Sequence, residues 1–89
     1  MQFPVDSELR ALASEIVSWI ASEAHWREFE GDDLFQSPNY CGGYEALEEA
    51  FTFSYYDSER REWWFQLTAD EVQSVAEGQT AVVVTREPA

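Results

Sequence analysis

Two runs decide how this chain folds: Phe51-Thr52-Phe53-Ser54-Tyr55-Tyr56 and Glu62-Trp63-Trp64-Phe65-Gln66-Leu67. Side chains alternate across a strand, so Phe51, Phe53 and Tyr55 share one face of the first run. Trp63, Phe65 and Leu67 share one face of the second. A three-residue loop, Ser58-Glu59-Arg60, sets Phe51 opposite Leu67, Phe53 opposite Phe65 and Tyr55 opposite Trp63. A slip of one residue would turn the two apolar rows to opposite faces, so the pattern specifies this register. The other face then carries Thr52, Ser54, Tyr56, Glu62, Trp64 and Gln66.

Outward from this hairpin, the N-terminal segment reads as a helix. From Ser7 to about Phe29, Leu9, Leu12, Ala13, Ile16, Val17, Ile20 and Ala24 fall at helical spacing, with Asp6 or Ser7 as cap and Gly31 as stop. Residues 30–43 hold Pro38, Asn39 and three glycines and are expected to form a loop; Tyr44–Ala50 is expected to add a short helix. After the hairpin, Thr68-Ala69-Asp70-Glu71 fits a capping box leading to Val72, Val75 and a Gly78 stop. Thr80–Thr85, with Val82, Val83 and Val84 at its centre, reads as a third strand in a covered, central position. The expected architecture is α+β: a long N-terminal amphipathic helix packed on a small three-stranded, mainly antiparallel sheet, in the order α-loop-β-β-α-β. At 89 residues the chain is expected to be a single acidic domain, 1–89.

Charge sets the functional expectations. Eighteen acids face five bases, a net charge of −13, and all five bases are arginines. Direct binding to nucleic acid or an anionic membrane is disfavoured, since both require cations. The start of the chain has no basic-then-apolar leader, no apolar run approaches a membrane span, and a cytoplasmic location is expected. The single Cys41 cannot form an intramolecular disulfide.

Catalysis would need convergent groups of tuned pKa. His25 has Glu28 one helical turn away, yet it reads more simply as a solvated histidine on a polar helix side. Cys41 beside Gly42-Gly43 has no recognisable histidine partner. Neither a metal framework nor a phosphate-binding glycine loop is present, so no cofactor, no metal and no enzymatic activity are expected.

Between Arg27 and Arg60 there are nine acids and no base: Glu28, Glu30, Asp32, Asp33, Glu45, Glu48, Glu49, Asp57 and Glu59. The net charge exceeds the magnitude of about 2–8 usual for small domains, which favours partner binding over the alternative of simple acidic solvation. Concentrated at one surface, such charge would accelerate encounter with a basic partner. Fourteen aromatic residues exceed what so small a core readily takes up. The expected protein-binding residues are Glu28, Glu30, Asp32, Asp33, Glu45, Glu48 and Glu49, with Trp26 and Trp64 as aromatic anchors.

Short length, one α+β domain, no catalytic motif and the acid-only interval from Glu28 to Glu59 together form a profile. It resembles that of small phage or mobile-element inhibitors of the anti-CRISPR and DNA-mimic type. The resemblance spans the whole chain as a profile and rests on no motif, so no site residue is carried over. It implies carboxylates placed where phosphates would sit, facing the Lys and Arg of a CRISPR effector or similar nuclease complex. Immunity or antitoxin proteins against basic nuclease toxins share the profile. A structural or adaptor module, forming a homodimer through the outer sheet face or the third strand's edge, is the alternative of a different class.

Overall fold

The computed structural model describes residues 2–3, 5–79, 81–82 and 84–86, with the side chains of 2, 3, 32, 33, 81, 82 and 84–86 excluded. The elements, in chain order, are β1 (Gln2–Phe3), α1 (Ser7–Ser22), a 3-10 turn (Trp26–Glu28), β2 (Glu30–Gln36), β3 (Tyr40–Glu45), β4 (Ala50–Tyr56), β5 (Glu62–Leu67), α2 (Ala69–Ala76), β6 (Ala81–Val82) and β7 (Val84–Arg86). The fold is α+β, with an antiparallel five-stranded sheet in the order β2-β3-β4-β5-β7 and a second two-stranded pair, β1-β6.

The β4–β5 hairpin has the register that alternation requires: Phe51 opposes Leu67, Phe53 opposes Phe65 and Tyr55 opposes Trp63. At its tip the Asp57 amide donates to the Arg61 carbonyl at 3.1 Å, and Arg60 takes a positive φ of 65°. That is the left-handed residue with which three-residue hairpin loops commonly end.

Residues 30–43 correct the expectation of a loop. They supply β2 and most of β3, so the sheet has five strands where three were expected. Ser37, Pro38 and Asn39 are the turn, closed by the Ser37 amide donating to the Tyr40 carbonyl at 2.8 Å. Gly42 lies within β3 and is glycine because a Cβ there would stand 2.4 Å from the Thr52 carbonyl oxygen and 2.6 Å from the Phe53 ring. Its missing side chain is the space that Phe53 fills. The expected short helix over Tyr44–Ala50 is likewise absent: Tyr44 and Glu45 end β3, and Ala46–Glu49 turn directly into β4, with Glu49 at φ 52°.

Helix α1 ends at Ser22, a full turn and more before the expected Phe29. In an unbroken helix, Trp19 and Trp26 would lie about 10 Å apart along the axis. The break brings both indoles onto the same rings: Trp19 lies 6.1 Å from Phe51 and 6.5 Å from Tyr44, and Trp26 lies 6.2 Å and 5.2 Å from the same two. Aromatic burial outweighs the propensity to continue the helix.

The expected C-terminal strand is divided. Part of it, β6, pairs with β1; the remainder, β7, lies at the edge of the larger sheet and is not central. Thr80 and Val83 lie outside the described residues. The capping box forms as read, with the Glu71 amide donating to Thr68 Oγ1 and the Thr68 amide to Glu71 Oε1. Gly78 takes the positive φ, 84°, of a helix stop.

The core lies between one face of the sheet and the two helices. Tyr40, Tyr44, Phe51, Phe53, Phe65 and Leu67 meet Leu9, Leu12, Ala13 and Ile16 of α1 and Val72 and Val75 of α2. The N-terminus of α1 is clamped to the β2–β3 turn. Asp6 Oδ1 accepts from the Leu9 amide at 2.8 Å, and its Oδ2 accepts from the Tyr40 hydroxyl at 2.6 Å. Glu8 accepts from the Ser37 hydroxyl and from Asn39. Burial, together with the Asp6 hydrogen bond, holds the Tyr40 phenol well above its ordinary pKa. Replacing Asp6 by Ala should lower stability by about 1–2 kcal/mol in urea denaturation, whereas Asp6→Asn, which still caps, should cost less. Gly42→Ala should cost about 1–3 kcal/mol through overpacking; an unchanged midpoint would show that the glycine is not required for the Phe53 contact.

Candidate protein-binding surface

Antiparallel pairing gathers five of the nine interval acids at one end of the sheet. Glu30 opens β2 and Glu45 closes β3, and the two are directly opposed. Glu48 and Glu49 follow in the β3–β4 turn, and Glu28 precedes β2 in the 3-10 turn. Glu28, Glu30, Glu48 and Glu49 are exposed and Glu45 is half-buried. Like charges directly opposite across a ladder are ordinarily destabilising, and the Glu30–Glu45 pair places two there.

Leu47 stands at the tip of the same turn, 93% exposed. With Glu30, Glu45 and Glu48 it borders a shallow depression of about 480 Å³, floored by Gly31 and Tyr44. Among the described residues, Glu30, Glu48 and Glu49 make no ion pair. Glu48 accepts a hydrogen bond from Gln66 Nε2, and Glu28 lies 3.4 Å from His25 Nδ1 with both side chains solvated.

Asp57 and Glu59 lie at the opposite end of β4, about 20 Å along the strand. Their charge is engaged locally: Arg61 contacts Asp57 at 3.0 Å and Glu59 at 3.2 Å. Asp57 also accepts from the Glu59 and Arg61 amides and from Trp63 Nε1. Asp32 and Asp33 lie on β2, and their side chains are outside the described residues.

Of the two expected anchors, Trp26 is corrected: it is 8% exposed, packed in the core beneath Arg27, whose guanidinium lies 4.5 Å over the indole. Its sequence neighbours are polar, which makes it look solvent-facing, but the helix break turns it inward. Trp64 is at the surface, 38% exposed, on the face of β5 opposite to Phe65.

Trp64 belongs to a face that neither helix covers. The register aligns Cys41, Ser54, Trp64 and Arg86 in one row across β3, β4, β5 and β7, and Gly43, Thr52, Gln66 and Val84 in the next. Small residues, Gly43, Ala50, Thr52 and Ser54, make a low floor at its centre. Tyr56, 48% exposed, stands beside Trp64 and donates to Glu62 Oε2 at 3.0 Å. Gln66 Nε2 bridges Thr52 and Glu48. Leu47, Tyr56 and Glu62 were not among the expected contact residues. Alternation already placed Tyr56 and Glu62 on the outer face, whereas Leu47 is concealed in a stretch of helix-favouring residues.

Cys41 is half-buried on this outer face, and His25 is on the surface beyond α1. Among the described residues, no group of three or more His, Cys, Asp or Glu is placed to hold a metal ion, and no helix is long and apolar enough to cross a membrane. No protein family, curated protein or solved structure matches this chain.

Hydrogen bonds from the Trp63 indole and the Arg61 amide lower the Asp57 pKa to about 2 from an ordinary 3.8. Because the folded value is the depressed one, the hairpin tip is stabilised above the ordinary carboxylate range and loses that contribution as pH falls toward 2. Titration of the Asp57 carboxyl carbon by NMR should give a midpoint near 2. A midpoint near 3.8 would mean that the network does not persist in solution.

Proposed function

We propose that the protein is a non-enzymatic inhibitor of a basic nucleic-acid-binding protein, such as a CRISPR effector or a similar nuclease complex, which it blocks by steric and electrostatic occlusion in the manner of a DNA mimic. The observation that carries this reading is the convergence of Glu28, Glu30, Glu45, Glu48 and Glu49 at one end of a rigid sheet. Duplex DNA presents closely and regularly spaced negative charge, which a phosphate-binding groove is built to neutralise. The Cβ atoms of directly opposed residues on antiparallel strands stand about 5 Å apart, so the Glu30 and Glu45 side chains project from positions set before binding. A disordered acidic tail would have to be ordered at the moment of association.

The direct opposition of Glu30 and Glu45 supports the same reading, since folding alone favours a neutral or oppositely charged pair there. Trp64, exposed on the adjoining face, supplies the apolar contact that long-range charge does not. An immunity protein against a basic nuclease toxin would use the same surface, and the identity of the bound protein separates the two.

The test is a paired capture from bacterial lysate with the wild-type chain and the variant Glu30→Lys/Glu48→Lys/Glu49→Lys as baits. The wild type should retain a nucleic-acid-binding protein that moderate salt or added DNA releases, and the variant should not. With the purified target, the variant should associate at least tenfold more slowly at low salt, with its circular dichroism unchanged. Equal association of the two baits, or a target that DNA does not displace, would overturn the proposal.

A further inference from the structure

We infer that the helix-free face of the sheet selects arginine over lysine on its basic partner, taking one guanidinium flat against the Trp64 indole. The inference deepens the inhibitor reading and rests on it, because that reading supplies the cationic partner. Both helices pack on the opposite face, where Val72, Val75, Leu9 and Ile16 share one cluster with Phe51, Phe53 and Phe65. On the open face the floor beside Trp64 is low: Ser54 is its cross-strand neighbour, and Thr52 and Gly43 follow in the next row. Of the β4 side chains on this face only Tyr56 is bulky, and it lies toward Glu62, so a planar group approaches the indole from the Thr52–Gln66 side.

The indole is bracketed along β5. Glu62, two residues before it on the same face, is held by the Tyr56 hydroxyl at 3.0 Å. Gln66, two residues after it, is tied to Glu48. An exposed aromatic ring between a carboxylate and a carboxylate-linked amide suits the guanidinium, which stacks on an aromatic face while its edge donates to oxygen acceptors. A lysine ammonium is a compact, strongly hydrated charge and gains less from the ring face. A second copy of this chain fits the face poorly, since each copy carries a net charge of −13.

The probes are nona-arginine and nona-lysine peptides, equal in charge, titrated at low salt against the isotope-labelled chain. The Trp64 indole N–H signal, assigned by its loss in Trp64→Leu, reports on occupancy of the face. Nona-arginine should bind the wild type about two- to fivefold more tightly than nona-lysine and shift that signal. Trp64→Leu should remove the preference, and Trp64→Tyr should retain part of it, which a merely structural role would not require. Arg86 occupies the register position opposite Trp64, so Arg86→Ser is titrated in parallel. A preference seen only in that variant overturns the inference for the native chain. Equal affinities for the two peptides, both weakened by Glu30→Lys/Glu48→Lys/Glu49→Lys, would overturn the arginine selection and leave the acidic reading standing. Binding indifferent to that triple reversal would overturn the reading beneath it.

Discussion

Phe51 and Phe53 on β4 are sealed from water, and the remainder of the sheet is aligned on them. Phe51 stands between Tyr44 and Leu67, and Phe53 between Gly42 and Phe65. Tyr44 reaches 4.8 Å from Phe51, and Phe65 stacks on Phe53 at 5.5 Å. A one-residue slip of either neighbour would exchange these rings for Cys41, Trp64 or Gln66 and expose the aromatic row. That constraint also sets the outer face, because every residue not directed at the core must point away from it. The positions of Trp64 and of the Glu30–Glu45 pair are thus consequences of packing on the other side of the same strands.

An acidic chain must accommodate its carboxylates, and this one separates them into two populations. Asp6 and Glu71 cap helices, Glu8 holds the β2–β3 turn, and Asp57 gathers four donors at the β4–β5 tip. These carboxylates satisfy backbone and side-chain donors that would otherwise go unpaired at element ends. Glu30 and Glu49 cap no helix, Glu48 accepts from the Gln66 side chain, and all three are concentrated at the end of the sheet where the like-charged pair lies. The division distinguishes charge that stabilises the fold from charge that the fold presents.

The central hairpin, the capping box at Thr68 and a helix start capped at Asp6 or Ser7 were legible because each depends on residues close in sequence. Alternation over six residues defines a strand face, and a Thr-to-Glu spacing of three defines a cap. The β2–β3 hairpin was not legible. Glu30–Gln36 contains few apolar residues, and Gly42 and Gly43 look like loop punctuation. Gly42 is in fact a glycine because Phe53 occupies the space above it, a fact about β4 that its own neighbours do not encode. Trp26 was misread for the same reason: its burial depends on Tyr44 and Phe51, far along the chain.

What the sequence by itself determined is the α+β class, the hairpin register, the helix caps and the acidic excess, all properties of local periodicity and composition. Only the tertiary structure decided that five strands form the sheet, that α1 stops at Ser22, and that Trp64 but not Trp26 faces solvent. It also decided which acids converge, since Glu30 and Glu45 are fifteen positions apart in sequence and directly opposite in space. Side-chain direction follows from backbone geometry within a segment, whereas convergence depends on how turns return distant segments to one another, and there the burial of aromatic rings outweighed local propensity.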